Sequence, residues 1–244
     1  MLDDFIKENF KKRYVINLKH RTDRYSEFKQ RTSAYFDPEL FEIFEGVYGK
    51  ELDTDTLSEP YFKQSHKRKG EIGCHLSHRQ IWKNIAEDDS INDNDLIIVF
   101  EDDVFFSDDF EKNFVEAVNS FNNENEHYDK FLYIGGRFIK NFKPPMKELR
   151  LFWNKTKSCS RLYKRNYSSD ISKHNIDRTT HALIFSKYCA KIFLECSLSD
   201  DNKKPVPVDL FLLWCHSENK GSINYYDYLP HLCYSPIDYK TDIQ

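Results

Sequence analysis

Five consecutive apolar residues, Leu96 to Phe100, run directly into three carboxylates, Glu101, Asp102 and Asp103, before apolar residues resume at Val104. A short, β-branched apolar run of this kind reads as a strand buried on both faces. Such strands belong to sheets covered by helices on both sides, which narrows the fold class sharply. In those sheets ligands gather at the carboxyl ends of the strands, and Glu101 stands at that end of this one. Three adjacent carboxylates repel one another and are costly to desolvate. A hard divalent cation (Mg2+, Mn2+ or Ca2+) removes the repulsion, and one or two carboxylates plus diphosphate oxygens are a usual way to hold it. The blander use of Asp102 and Asp103 is to open a surface turn and cap the next helix. Ser107, followed by Asp108 and Asp109, already supplies that cap.

The rest of the chain extends the pattern. Tyr14 to Leu18 predicts a strand ending in a basic turn, then a helix from Thr22 to about Ala34 that stops near Asp37-Pro38. "FEIFEGVYG" predicts a second strand ending at Gly49, and residues 58–70 read as a loop. In "GEIGCHLSHRQIWKNIAEDD", Cys74, His78, Ile81 and Ile85 share one helix face. A helix from the Ser107 cap to about Phe121, a strand in "KFLYIGG", a strand in "TTHALIFS", a helix in "KYCAKIFLEC" and another in "LFLLWCHSE" follow. Residues 139–178 show no period, and the end from Asn224 is aromatic and reads as loop. Strands alternating with helices imply an α/β chain with a mostly parallel central sheet. With no internal repeat and no dividing linker, residues 1–244 read as one domain.

Composition removes several functions. The net charge of −4, with both signs interspersed, argues against a nucleic-acid or anionic-membrane binder. Only 7 Gly are present, so a Gly-rich phosphate loop is not expected. No apolar run approaches the roughly 20 residues of a membrane span. "MLDDFIKENFKKRY" lacks the apolar core of a secretory signal. The six Cys form no CxxC pair and read as thiols of a reducing compartment, which predicts a soluble, cytoplasmic-type chain or one domain of a longer protein. Sequons at Asn154 and Asn166 are short enough to arise by chance.

"INLKHRTDR", "GEIGCHLSHRQIW", "IIVFEDDV", "THALIFS" and "PVDLFL" follow one another in the order and spacing of glycosyltransferase family 25. The chain resembles that family from about Tyr14 to its C-terminus. The family includes bacterial lipooligosaccharide β-galactosyltransferases and procollagen galactosyltransferases. The resemblance implies a GT-A-like fold, a UDP-sugar donor, Mn2+ (or Mg2+) held at a DXD-like motif, and inversion at the anomeric carbon. A glycan or a collagen-like protein is the implied acceptor. Asp103 matches the last acid of the motif and is the expected metal ligand. Asp102 and Glu101 flank it, as a further metal ligand or facing ribose or a bound water, and the motif is EDD rather than D-x-D.

Asn17, Arg21 and Arg24 follow the first strand, where this fold type receives the nucleotide; their amide and guanidinium groups suit uracil, ribose or phosphate. The alternative is a solvated basic turn. Gly73 permits close backbone approach. His78 is either a core histidine or a donor-sugar contact. Glu71 either caps its helix or serves the chemistry. Asp209, before an apolar helix, is either its N-cap or the carboxylate base that takes the acceptor hydroxyl's proton. His231, in the loop "LPHLC", is either a packed or exposed loop histidine or, by analogy alone, a late metal ligand, and Lys67-Arg68-Lys69 is a solvated loop or a diphosphate attractor. Two other functions remain open: a sugar nucleotidyltransferase of related fold, which would want a Gly-rich N-terminal phosphate loop that "INLKHRTDR" lacks, and a non-catalytic module that binds sugar or a divalent ion.

Overall fold

The computed structural model describes residues 2–53, 69–124, 129–138, 161–164, 176–199, 205–219, 222–229 and 231–235. In chain order the elements are α1 (Leu2–Asn9), β1 (Lys12–Asn17), α2 (Thr22–Thr32), β2 (Glu42–Glu45), α3 (Lys69–Glu87), β3 (Leu96–Glu101), β4 (Phe105–Phe106), α4 (Phe110–Glu124), β5 (Lys130–Tyr133), β6 (Gly135–Phe138), β7 (Arg161–Lys164), β8 (Ile176–Arg178), β9 (Ala182–Ser186), α5 (Lys187–Leu198), α6 (Val208–Glu218), β10 (Asn224–Leu229) and β11 (Cys233–Tyr234). A seven-stranded sheet has the order β2-β1-β3-β9-β5-β10-β7. Strands β1, β2, β3, β5 and β10 run one way, and β9 and β7 run against them. The mostly parallel α/β sheet expected from the sequence is therefore present, with an antiparallel strand at its centre. A second sheet, β4-β11-β6-β8, adjoins it.

The period of β3 assigns its two faces. Leu96, Ile98 and Phe100 join Leu2 and Ile6 of α1, Phe28 of α2 and Phe114 of α4 in one core. Ile97 and Val99 join Ile81 and Trp82 of α3, Phe193 of α5 and Phe211 of α6 in the other. Both faces are covered, so β3 is apolar at every position until it leaves the core at Glu101.

Four boundaries differ from the sequence reading. The aromatic end forms β10, because Tyr225 enters one core while Tyr226 and Tyr228 enter the other. The region 139–178 contributes β7 and β8. The strand expected to reach Gly49 stops at Glu45, and the Val47 N–H turns to Ser77 Oγ at 2.8 Å. Helix α4 starts at Phe110 because the Ser107 N–H is tied to the Leu232 carbonyl at 2.9 Å; Ser107 Oγ is buried and makes no hydrogen bond among the described residues. Asn154, Asn166, Lys67, Arg68 and most of 139–178 lie outside the described residues.

Gly73 lies in α3 with its backbone against the segment after β2. A Cβ there would sit 2.6 Å from the Val47 carbonyl oxygen and 2.9 Å from Gly49 Cα, both backbone atoms. Gly to Ala inside a helix ordinarily gains up to about 1 kcal/mol. Here the sign is expected to reverse: Gly73→Ala should lose about 1–3 kcal/mol of stability by overpacking, read from a urea unfolding curve.

Candidate active site

The ends of β1 and β9 hold the turn that carries the acids. The Asp102 N–H donates to the Ile16 carbonyl at 3.1 Å and the Glu101 N–H to the His181 carbonyl at 3.0 Å. Arg31 on α2 donates from Nη2 to the Asp102 carbonyl at 2.6 Å and from Nε to the Val104 carbonyl at 3.0 Å. Its guanidinium lies 4.4 Å from the centre of the Phe105 ring. The turn is thus fixed by backbone bonds, which leaves its three carboxylates to face separate partners.

Glu101 Oε1 meets His78 Nε2 at 3.1 Å, the Thr180 hydroxyl at 2.5 Å and Cys74 Sγ at 3.9 Å. Burial pushes its pKa up, but the hydrogen bond and charge of His78 and the Thr180 hydroxyl outweigh this and hold it at about 2. Asp102 accepts from Asn17 Nδ2 at 2.7 Å and forms an ion pair with Arg24. Burial, with the charges of Asp103 and Glu101, nevertheless raises its pKa to about 7 against Arg24 and Asn17. Asp103 accepts from Ser235 Oγ at 3.2 Å and lies 3.7 Å from Arg24 Nη2. Burial and Glu101 push its pKa up as well, while His181 and Arg24 oppose. One guanidinium, that of Arg24, thus faces two acids.

These acids line a cleft together with Arg24, Tyr48 and Cys74. Tyr48 packs at 4.4 Å between ring centres against His20, which precedes α2, with the rings tilted by 56°. The donor set suits a hard cation at one atom in particular. Both Asp102 oxygens are taken by Asn17 and Arg24. Asp103 Oδ1 is buried and makes no hydrogen bond among the described residues, so its lone pairs would suit a hard cation.

The structure brings Asn17, Arg24, His78, Glu101, Asp102 and Asp103 together. Asn17 is buried and holds Asp102. Arg21 turns to Asp23 at 2.9 Å on the exposed side. Glu71 is half-buried in the first turn of α3, and Gly73 packs on the chain after β2. Asp209 is not the N-cap of α6: Pro207 holds that position and Asp209 follows in the first turn, its Oδ1 accepting from the Leu210 N–H at 2.8 Å. Its charge, after that of Glu101, helps push the Cys74 thiol up, and Asp209 is not among the residues that line the cleft. His231 is buried beside Gly136, 4.0 Å from Asp227.

Sequence reasoning missed four residues that organise the site. Thr180 and His181 stand just before β9, in the polar "TTH" that precedes the apolar strand. Ser77 lines the cleft and orders the segment after β2. His75 is buried between the Val206 carbonyl, 3.2 Å from Nδ1, and Ser197 Oγ, 3.1 Å from Nε2. A carbonyl only accepts, so Nδ1 carries the proton, and His75 pins the segment leading to Asp209. Thr180→Val is expected to cost about 1.5–3 kcal/mol, the value of a hydrogen bond to a charged group, in a urea unfolding curve at pH 7.

Residues 10–212 match the family model described as "Glycosyltransferase family 25 (LPS biosynthesis protein)". The chain belongs to glycosyltransferase family 25. It is 30% identical over 149 residues to procollagen galactosyltransferase 1-A of Xenopus laevis, covering 57% of this chain and 23% of that protein. Human procollagen galactosyltransferase 2 is 29% identical over 149 residues, 57% of this chain and 22% of its own. The procollagen lysyl hydroxylase and glycosyltransferase of Acanthamoeba polyphaga mimivirus is 26% identical over 223 residues, 84% of this chain and 22% of its own. The chain thus spans less than a quarter of these relatives' length. Among the described residues, no helix is long and apolar enough to cross a membrane.

Proposed function

We propose that this chain transfers a hexose, galactose or glucose, from UDP to a hydroxyl of a glycan or of a collagen-like protein, with inversion at the anomeric carbon. One observation carries the reading: Asp103 Oδ1, buried without a hydrogen bond at the end of β3, in a chain of this family. The relatives named as procollagen galactosyltransferases favour galactose and a collagen-like acceptor, and the family's lipopolysaccharide description favours a glycan.

Asp103 would hold the Mn2+ or Mg2+ ion, with Asp102 beside it. A bound ion there would supply positive charge for the diphosphate leaving group. Arg24 supplies a second positive charge, and Asn17 keeps Asp102 oriented. Tyr48 offers the cleft an aromatic face for the base. Asp209 takes the acceptor hydroxyl's proton as that oxygen bonds to the anomeric carbon and the bond to the phosphate oxygen breaks.

A ligand that binds only the folded chain stabilises it, by about 2.7 kcal/mol at 100 times its Kd. With Mn2+ present, UDP is expected to raise the melting temperature by about 5–10 °C at that concentration, and ADP and GDP by less. Equal shifts from all three would remove the uridine assignment, and no shift from any would remove the diphosphate site.

A further inference from the structure

Beside the oxygen position at Asp103 lies a cluster of different chemistry. Cys74 Sγ, His78 Nε2 and Glu101 Oε1 all lie within 4.8 Å of one another. His78 is 3.1 Å and Cys74 3.9 Å from the shared Glu101 oxygen. Cys74 and His78 are one helical turn apart on the same face of α3, and Glu101 ends the strand beneath them. His78 is fully buried, whereas Cys74 and Glu101 line the cleft.

Zn2+ binds thiolate sulfur at about 2.3 Å and imidazole nitrogen or carboxylate oxygen at about 2.0–2.2 Å, so tetrahedral ligand atoms stand roughly 3.3–3.6 Å apart. The two separations from Glu101, 3.1 and 3.9 Å, bracket that range, and the third, between Cys74 and His78, is within 4.8 Å, so rotation of the Cys74 and His78 side chains brings the three atoms onto one ion. A thiolate with an imidazole is a donor set for a borderline-soft ion and a poor one for Mg2+ or Mn2+. A plain His78–Glu101 tie would need no thiol beside it.

We propose that Cys74, His78 and Glu101 form a Zn2+- or Co2+-binding site on the floor of the cleft, separate from the hard-cation position at Asp103. The Cys74 thiol gives its proton to solvent and binds as thiolate. His78 binds through Nε2 with its proton on Nδ1, and Glu101 exchanges its contacts with His78 and Cys74 for the ion. The fourth position opens to the cleft. The site rests on these three side chains and not on the sugar-transfer reading.

Co2+ added to the metal-free chain is expected to give a thiolate-to-cobalt charge-transfer band in the near ultraviolet, which one equivalent of Zn2+ removes. Cys74→Ser should lose the band, and His78→Gln should weaken Co2+ binding at least about 10-fold. Asp103→Ala should keep both, which separates this site from the donor site. In the unsubstituted chain, Zn2+ should protect Cys74 from alkylation, read by mass spectrometry; this arm needs no variant to fold. No charge-transfer band, an unchanged band in Cys74→Ser, a band lost in Asp103→Ala, or equal alkylation with and without Zn2+ would each overturn the proposal. UDP binding with Mn2+ survives or fails independently of all four.

Discussion

Replacing Asp103 by alanine is expected to raise the Kd for UDP in Mn2+ by more than about 100-fold, above the upper end of what partners outside the ligand shell cost. Calorimetric titration reads this directly. The fold should survive, because Asp103 sits where the chain leaves β3 rather than in either core. The sign of the stability change follows from its pKa. Burial and Glu101 raise that pKa in the folded chain, so the ionised group opposes folding above the unfolded value of about 4. In EDTA at pH 7, Asp103→Ala should therefore melt at the parent's temperature or higher. A variant that binds UDP and Mn2+ as tightly as the parent would remove the metal assignment.

The second large effect concerns Asp209. An inverting transfer needs a carboxylate on the face opposite the leaving group, and Asp209, in the first turn of α6, is the carboxylate proposed for it; its charge acts on the Cys74 thiol of the cleft. Asp209→Asn preserves shape and an oxygen for the Leu210 N–H. A base role predicts normal UDP binding with turnover reduced about 100-fold or more. A purely helical role predicts a stability loss of about 1 kcal/mol or less, since a charge in the first turn contributes that much through the helix dipole, and normal turnover. Normal turnover in Asp209→Asn would pass the base role to Glu71 or Asp102.

Much of this was legible in the residues. The unbroken apolar run of β3 and its abrupt end at Glu101 gave both the covered sheet and the place of the acids, because a buried strand can carry charge only where it leaves the core. The partition of the acids was not legible. Glu101 turns toward His78 and Thr180, Asp102 toward Asn17 and Arg24, and Asp103 keeps a buried oxygen without a hydrogen bond among the described residues. Those partners come from α2, α3, β1 and the start of β9, so no local pattern announces them. Strand β10 was hidden for another reason: its tyrosine hydroxyls and Asp227 look polar in sequence, while the rings fill both cores. Asp209 mimicked an N-cap because Asp before an apolar run is the usual start signal, whereas Pro207 already opens the helix two residues earlier.

The central claim is a Mn2+-dependent transfer from a UDP-sugar that runs through Asp103. The direct measurement is release of free nucleoside diphosphate from a panel of nucleotide sugars, with hydroxyl acceptors, in Mn2+ and in EDTA. UDP is expected from UDP-galactose or UDP-glucose, in Mn2+ only, and none above background from Asp103→Ala. Release that is equal in EDTA, release undiminished in Asp103→Ala, or no diphosphate from any donor would contradict it.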